Sequence, residues 1–331
     1  MSRRLALLAF ALSFASELVV LGSSPPRAAE PAARVVRVGF VGTESPTTRR
    51  DVSAFWARLR ELGWVEGQNL VAERRWAEGQ LDRLPALMAE VLGRNIDVLV
   101  TYSTPGGLAA RNATRTVPIV VATMGDPIGS GLAASLAHPG GNLTGLSLGW
   151  DDIAGKWLEL LQETVPRLST VATIADPNSP ISRAMVEKLK AIGPTRGVKV
   201  RFIEVHEPQA LDRAFKQARR EAQAILVLAD PFTLQYQGQI TALAARYRLP
   251  GMYTFLDFMD SGGLMAYGVD NAASFRRLAE YVDKIFRGAK PADLPIEQPT
   301  KYVLVVNLNT AKTLGLTIPE SIFLRANEVL R

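Results

Sequence analysis

Gly145-Leu146-Ser147-Leu148-Gly149 carries the G-x-S-x-G spacing of a nucleophile elbow. That chemistry needs a serine on a tight strand-to-helix turn, followed in the chain by an acid and then a histidine. The one histidine downstream is His206, with Asp151, Asp152 and Asp176 between, and the chain left over is too short for the rest of a hydrolase domain. Ser147 reads better as part of a strand that crosses between two halves. His138 and His206 stand far apart and belong to no spaced ligand cluster, and cysteine is absent. Thiolate nucleophiles, disulfides, cysteine zinc sites and iron-sulfur clusters therefore drop out together. No catalytic residue, metal site or cofactor is expected.

Binding is better represented than reaction. In Thr123-Met124-Gly125-Asp126-Pro127-Ile128-Gly129-Ser130-Gly131 an apolar run ends in a glycine-rich loop, and open α/β sheets take ligands outside the carboxyl ends of their strands. The glycines suit an anion, but Asp126 among them suits a cationic group such as an amine. Asp126 is the preferred polar anchor; Asp before Pro is also a common turn former and helix cap. Asp230 and Asn178 stand at analogous strand ends in the second half, and Phe232, Tyr253, Phe255 and Phe258 supply flat apolar surface or ordinary core. Gly39-Phe40-Val41-Gly42 lacks the G-x-G-x-x-G spacing of a dinucleotide loop.

From Arg34 onward, short β-rich runs alternate with amphipathic segments, the pattern of parallel sheets covered by helices. Strands are expected at 35–42, 70–75, 97–102, 118–123 and 144–148, and again at 171–175, 199–205, 224–229, 251–255, 262–269 and 302–307. Helices are expected between them, including one over 131–137 closed by His138-Pro139-Gly140-Gly141 and a long one over 272–286. Two such α/β halves imply a cleft between them.

The chain has 331 residues, 47% of them hydrophobic, with a formal charge of +6, enough for two ordinary domains. Its basic residues are scattered among acidic ones, which argues for a solvated surface and against a nucleic-acid partner. Arg3 and Arg4, followed by an apolar run from Leu5 to Phe14 and then small residues and prolines, read as an export signal over 1–29. Glu17 interrupts the run and disfavours a membrane span. The expected product is a soluble monomer in a periplasm.

Leu62-Gly63-Trp64-Val65-Glu66-Gly67-Gln68-Asn69-Leu70, Arg75-Trp76-Ala77-Glu78-Gly79, Gly125-Asp126-Pro127, Pro139-Gly140-Gly141-Asn142-Leu143-Thr144-Gly145, Gly262-Gly263-Leu264-Met265-Ala266-Tyr267-Gly268 and Gln298-Pro299-Thr300-Lys301 follow one another in this order. Together they resemble the substrate-binding proteins of ABC transporters, over essentially everything from Val35 to the C-terminus. The resemblance implies a type I periplasmic binding fold: two doubly wound parallel-sheet lobes joined by three crossovers near Leu148, Tyr267 and Pro291. The expected lobes are 34–148 plus 268–290 and 149–267 plus 291–331. It further implies capture of a small ligand, similar to the aromatic or branched-chain amino acids of related receptors, and delivery to an ABC permease in the inner membrane. By the same resemblance Ser45, Ser103, Thr104, Thr123, Gly125 and Asp126 face the ligand from the first lobe, with Asn178, Asp230 and Tyr253 from the second; among the strand-end aromatics, Tyr253 or Phe255 is expected to cover the ligand's apolar part. A ligand-sensing subunit of a signalling partner is the alternative, and a transferase on the same sheets a weaker one.

Overall fold

The computed structural model describes residues 34–331 apart from 48, 49 and 229; the expected export signal lies outside them. Five strands, β1 (Val36–Gly42), β2 (Leu70–Trp76), β3 (Val98–Tyr102), β4 (Ile119–Met124) and β5 (Leu143–Ser147), form a parallel sheet in the order β2-β1-β3-β4-β5. β3, β4 and β5 are buried at every position, which is why they read as unbroken apolar runs instead of alternating ones. Helices α1 (Ser53–Glu61), α2 (Leu84–Leu92) and α3 (Thr104–Ala113) cover the sheet. Phe40, Phe55 and Tyr102 fill one face, and Met88, Val91, Val121 and Met124 the other.

The chain then enters α4 (Trp150–Thr164) and a second sheet made of β6 (Thr170–Ala175), β7 (Lys199–Glu204), β8 (Ala224–Val227), β9 (Gly251–Tyr253), β10 (Met265–Gly268), β11 (Val303–Asn307) and β12 (Glu328–Leu330), ordered β12-β11-β10-β9-β8-β6-β7. Its pairings are parallel except that of β10 with β11. Helices α5 (Pro180–Ile192), α6 (Leu211–Glu221), α7 (Pro231–Gln235), α8 (Gln237–Arg246) and α9 (Asp257–Asp260) connect these strands. Trp157, Phe215, Tyr253 and Phe258 anchor one continuous core.

The antiparallel pair has a topological cause. After β10 the chain leaves the second sheet and forms α10 (Asn271–Phe286), whose Phe275, Tyr281 and Phe286 complete the core of the first. Ion pairs fasten α10 to α1: Arg58 to Glu280 at 2.9 Å and Arg276 to Glu61 at 2.7 Å. Trp64 Nε1 adds a hydrogen bond to Asp283 Oδ1 at 2.8 Å.

Two expectations need correction, and three elements go beyond them. The helix over 131–137 is absent; 126–142 is a chain of turns. Ala133 N reaches Pro127 O and Ala134 N reaches Pro139 O, while Gly131, Gly140 and Gly141 take positive φ, so the backbone bonds that a helix would use go elsewhere. The third crossover lies after Glu297, not at Pro291. Glu297 exchanges backbone bonds with Gly145 O and Ser147 N (3.1 and 2.8 Å), and Ile296 N bonds Leu136 O, so 291–297 belongs with the first lobe. Beyond β11 the chain adds α11 (Leu308–Leu314), α12 (Glu320–Arg325) and β12, which periodicity did not indicate.

Candidate functional site

The strand ends of the two sheets face each other, and between them lies a cavity of about 20 Å³. The first lobe supplies the turn from β3 into α3. Ser103 sits there at φ +64° and Thr123, at the end of β4, at φ +51°, a left-handed conformation that costs a branched residue on the order of 1–2 kcal/mol. The surrounding bonds hold it. Ser103 N donates to Ala122 O at 3.0 Å and to Thr123 Oγ1 at 3.2 Å, and Thr104 Oγ1 accepts from Gly125 N at 3.1 Å. Ser103 Oγ caps α3 by accepting from Gly106 N at 3.4 Å. Only glycine fits at 106, because a Cβ there would lie 2.6 Å from Thr101 Oγ1. The result is three hydroxyls gathered at the N-terminus of a ten-residue helix, a place that favours a carboxylate.

Glu44 enters the same cavity from the loop after β1. It is 1% exposed, its N–H donates to the Tyr102 hydroxyl at 3.3 Å, and its Oε2 accepts from Thr43 Oγ1 at 3.0 Å. Sequence reasoning chose its neighbour Ser45 and passed over it. The signal was there: an acidic residue directly at the carboxyl end of a buried strand.

Opposite stands Asp230, 3% exposed, just past the end of β8. Its Oδ1 accepts from Thr233 N (2.8 Å), while Oδ2 accepts from Asp176 N (2.9 Å) and Ser182 Oγ (3.2 Å). Thr233 Oγ1 returns the favour by accepting from Asp230 N, which completes a capping box on α7. Burial nevertheless dominates and pushes the Asp230 carboxyl up to about 6. Ser179, Ile181 and Leu234 extend this wall and Phe255 closes it.

Six of the ten expected positions thus line one cavity: Ser103, Thr104, Thr123, Gly125, Asp230 and Phe255. The other four do not. Asp126 Oδ1 accepts from Gly129 N at 2.7 Å and its carbonyl accepts from Ser130 Oγ, the turn-forming arrangement. Asn178 is exposed, with its N–H bonded to Asp176 Oδ1. Tyr253 stacks on Phe258 at 4.7 Å inside the second core, where burial raises its phenol. Ser45 instead bridges the lobes, its N–H donating to Gln235 Oε1 at 3.2 Å.

The elbow motif lacks its machinery. Ser147 lies within β5, its Oγ has no hydrogen-bond partner, and both histidines are exposed. Among the described residues no group of His, Cys, Asp and Glu is placed to hold a metal ion, and no helix is long and apolar enough to cross a membrane.

The lobes touch closely beside the cavity. A Cβ on Gly125 would lie 2.2 Å from Ile181 Cγ1, and one on Gly79 would lie 3.3 Å from the Gln235 side chain. Where the chain crosses over, Gly149 takes φ +59° and its carbonyl accepts from the Tyr302 hydroxyl at 2.9 Å. Trp157 Nε1 donates to Tyr267 O at 2.7 Å.

A "Tyrosine-binding protein" of Clostridioides difficile (strain R20291) is 22% identical over 274 residues, 82% of this chain and 79% of its own length. The structure of a conserved domain protein from Vibrio cholerae superposes with a TM-score of 0.84 at 25% identity, over 89% of this chain and all of the other. An ABC domain in complex with L-Trp, from Streptococcus pneumonia, gives 0.83 at 24% identity over the same shares. The two parallel-dominated sheets are those of type I periplasmic binding proteins. A family model described as "ABC transporter substrate binding protein" matches residues 39–330, and the chain belongs to that family.

Proposed function

We propose that this chain is an extracytoplasmic solute-binding protein that captures an amino acid, aromatic ones included, and presents it to an ABC permease in the inner membrane. The observation that carries the ligand class is one cavity with opposite chemistries on its two sides. Hydroxyls at the α3 N-terminus (Ser103, Thr104, Thr123) suit an α-carboxylate, and the buried carboxylates Glu44 and Asp230 suit an α-ammonium. Tyr102, Ile181, Leu234 and Phe255 take the side chain. This moves the ammonium partner from Asp126, spent on its own turn, to Glu44 and Asp230. The relative that is named tyrosine-binding and the L-Trp complex support the same class.

A cavity of about 20 Å³ holds little more than one water. An amino acid must therefore enter a wider form, with closure following as the lobes turn about the three crossovers near 148–149, 268–270 and 298–302. Exclusion of water strengthens the polar contacts, and the closed shape is what a permease reads. Calorimetric titration with L-tyrosine, L-tryptophan and the branched-chain amino acids tests the proposal. Saturable binding of at least one is expected; the absence of heat and of thermal shift with all of them would remove the ligand class and leave the fold untouched.

A further inference from the structure

Beside the cavity a directed hydrogen bond joins the two lobes. Gln235, the last residue of α7, carries its Oε1 across the cleft to accept from the Ser45 N–H at 3.2 Å. The stem of the same side chain lies along Gly79, where a Cβ would come within 3.3 Å of Gln235 Cγ. Gly79 is itself tied to the loop that carries Ser45, since its N–H donates to Thr43 O at 2.8 Å. The half-buried Gln235 therefore sits against the loops that follow β1 and β2, yet it lies outside the lining of the cavity.

The neighbours of the two bonded residues give this contact its meaning. Glu44 and Leu234 line the cavity, one from each lobe, and each immediately precedes a partner in the bond. At the other end of α7, Asp230 lines the cavity and caps the helix. So short a piece of helix is stiff, so the position of Gln235 follows that of Asp230 and Leu234, and the position of Ser45 follows that of Glu44. The walls that meet a ligand and the groups that meet each other are thus set by the same two segments. At 3.2 Å the bond stands at the long end of the ordinary range of about 2.7–3.2 Å, and little hinge opening breaks it.

We propose that Gln235 and the Ser45 backbone form a latch that sets how long the closed cleft holds its ligand. Gln235 is a positioning residue: it slows release by holding the lobes together from outside the cavity. Because the donor is a backbone N–H, the latch engages for any ligand that lets the two walls reach their closed spacing. The link to release rests on the amino-acid capture proposed above; the bond itself does not.

Two variants of the full chain test it: Gln235→Met keeps the length of the side chain and removes the acceptor, and Gln235→Glu keeps an acceptor. Hydrogen exchange at the Ser45 amide, followed without any ligand, is expected to be about fivefold faster in Gln235→Met, the equivalent of one net hydrogen bond, and parent-like in Gln235→Glu. Stopped-flow release of L-tyrosine and L-tryptophan is expected to be about fivefold faster in Gln235→Met with association unchanged, and again parent-like in Gln235→Glu. Equal Ser45 exchange in Gln235→Met and the parent overturns the latch, as does release at the parent rate or the same acceleration in both variants. If neither amino acid binds the parent, the capture reading falls and the exchange result alone decides the latch.

Discussion

Gly125 and Asp230 show how single positions set the cleft's behaviour. At Gly125 the missing side chain is what lets Ile181 approach from the other lobe. Gly125→Ala is expected to obstruct closure and weaken amino-acid binding about tenfold without lowering the melting temperature, and Ile181→Ala added to it is expected to restore affinity; unchanged titrations in the single variant would contradict this. Asp230 makes a prediction with a definite sign. Its folded value, about 6, lies above the ordinary aspartate value near 4. The folded chain therefore takes up a proton first as pH falls. The stabilisation from this group is full below about 4 and is lost as pH rises through about 6, by ~2–3 kcal/mol. An α-ammonium reverses the preference, since it needs the ionised form. Amino-acid affinity should therefore rise between pH 5 and 7.5, and a flat profile by calorimetry would remove Asp230 as the ammonium partner. Asp230 was legible as a strand-end acid, whereas the turn in which the Asp126 side chain finds a donor three residues ahead is a local alternative that sequence alone leaves open.

Elements were legible where burial dictated composition. β3, β4 and β8 are wholly buried, so their Val, Leu and Ile runs announced them. The segment 131–137 failed because a few helix-compatible residues lay between glycines and prolines whose turns satisfy the backbone another way. α11 was missed although it bears both end signals: Asn307 Oδ1 accepts from Thr310 N at 3.0 Å, and Gly315 takes φ +72°. At seven residues it is too short for its periodicity to show. Two element-scale tests follow. Trp157 is fully buried and ties α4 to the Tyr267 carbonyl, so Trp157→Phe is expected to cost about 1–3 kcal/mol in denaturant unfolding, and no loss would show the bond to be dispensable. Arg277 holds Glu297 by paired bonds of 2.8 and 2.6 Å and keeps its carboxyl below the usual range. That stabilisation is present above the ordinary glutamate value near 4.5 and disappears as pH falls through the lowered one. Arg277→Met should therefore narrow the stability gap between neutral and strongly acid solution, checked by melting at both.

For the molecule as a whole, two sheets with separate cores and three slender connections make a hinge the expected motion. X-ray scattering should record a smaller radius of gyration when the preferred amino acid is added; identical curves would argue against lobe closure. The long-range plan was readable from α/β alternation and from the ordered motifs. What alternation hid was the third connection, since nothing local distinguishes a proline-rich passage that hugs the first sheet from one that leaves it. That passage and α10 carry a further consequence. Because the chain visits each lobe twice, neither is an uninterrupted stretch of polypeptide. Ending translation after residue 268 would leave the first lobe without Phe275 and Tyr281 and the second without β11 and β12. Grafting one half onto a relative would accordingly demand three splice points, and any two-fragment complementation must share at least one lobe between the fragments.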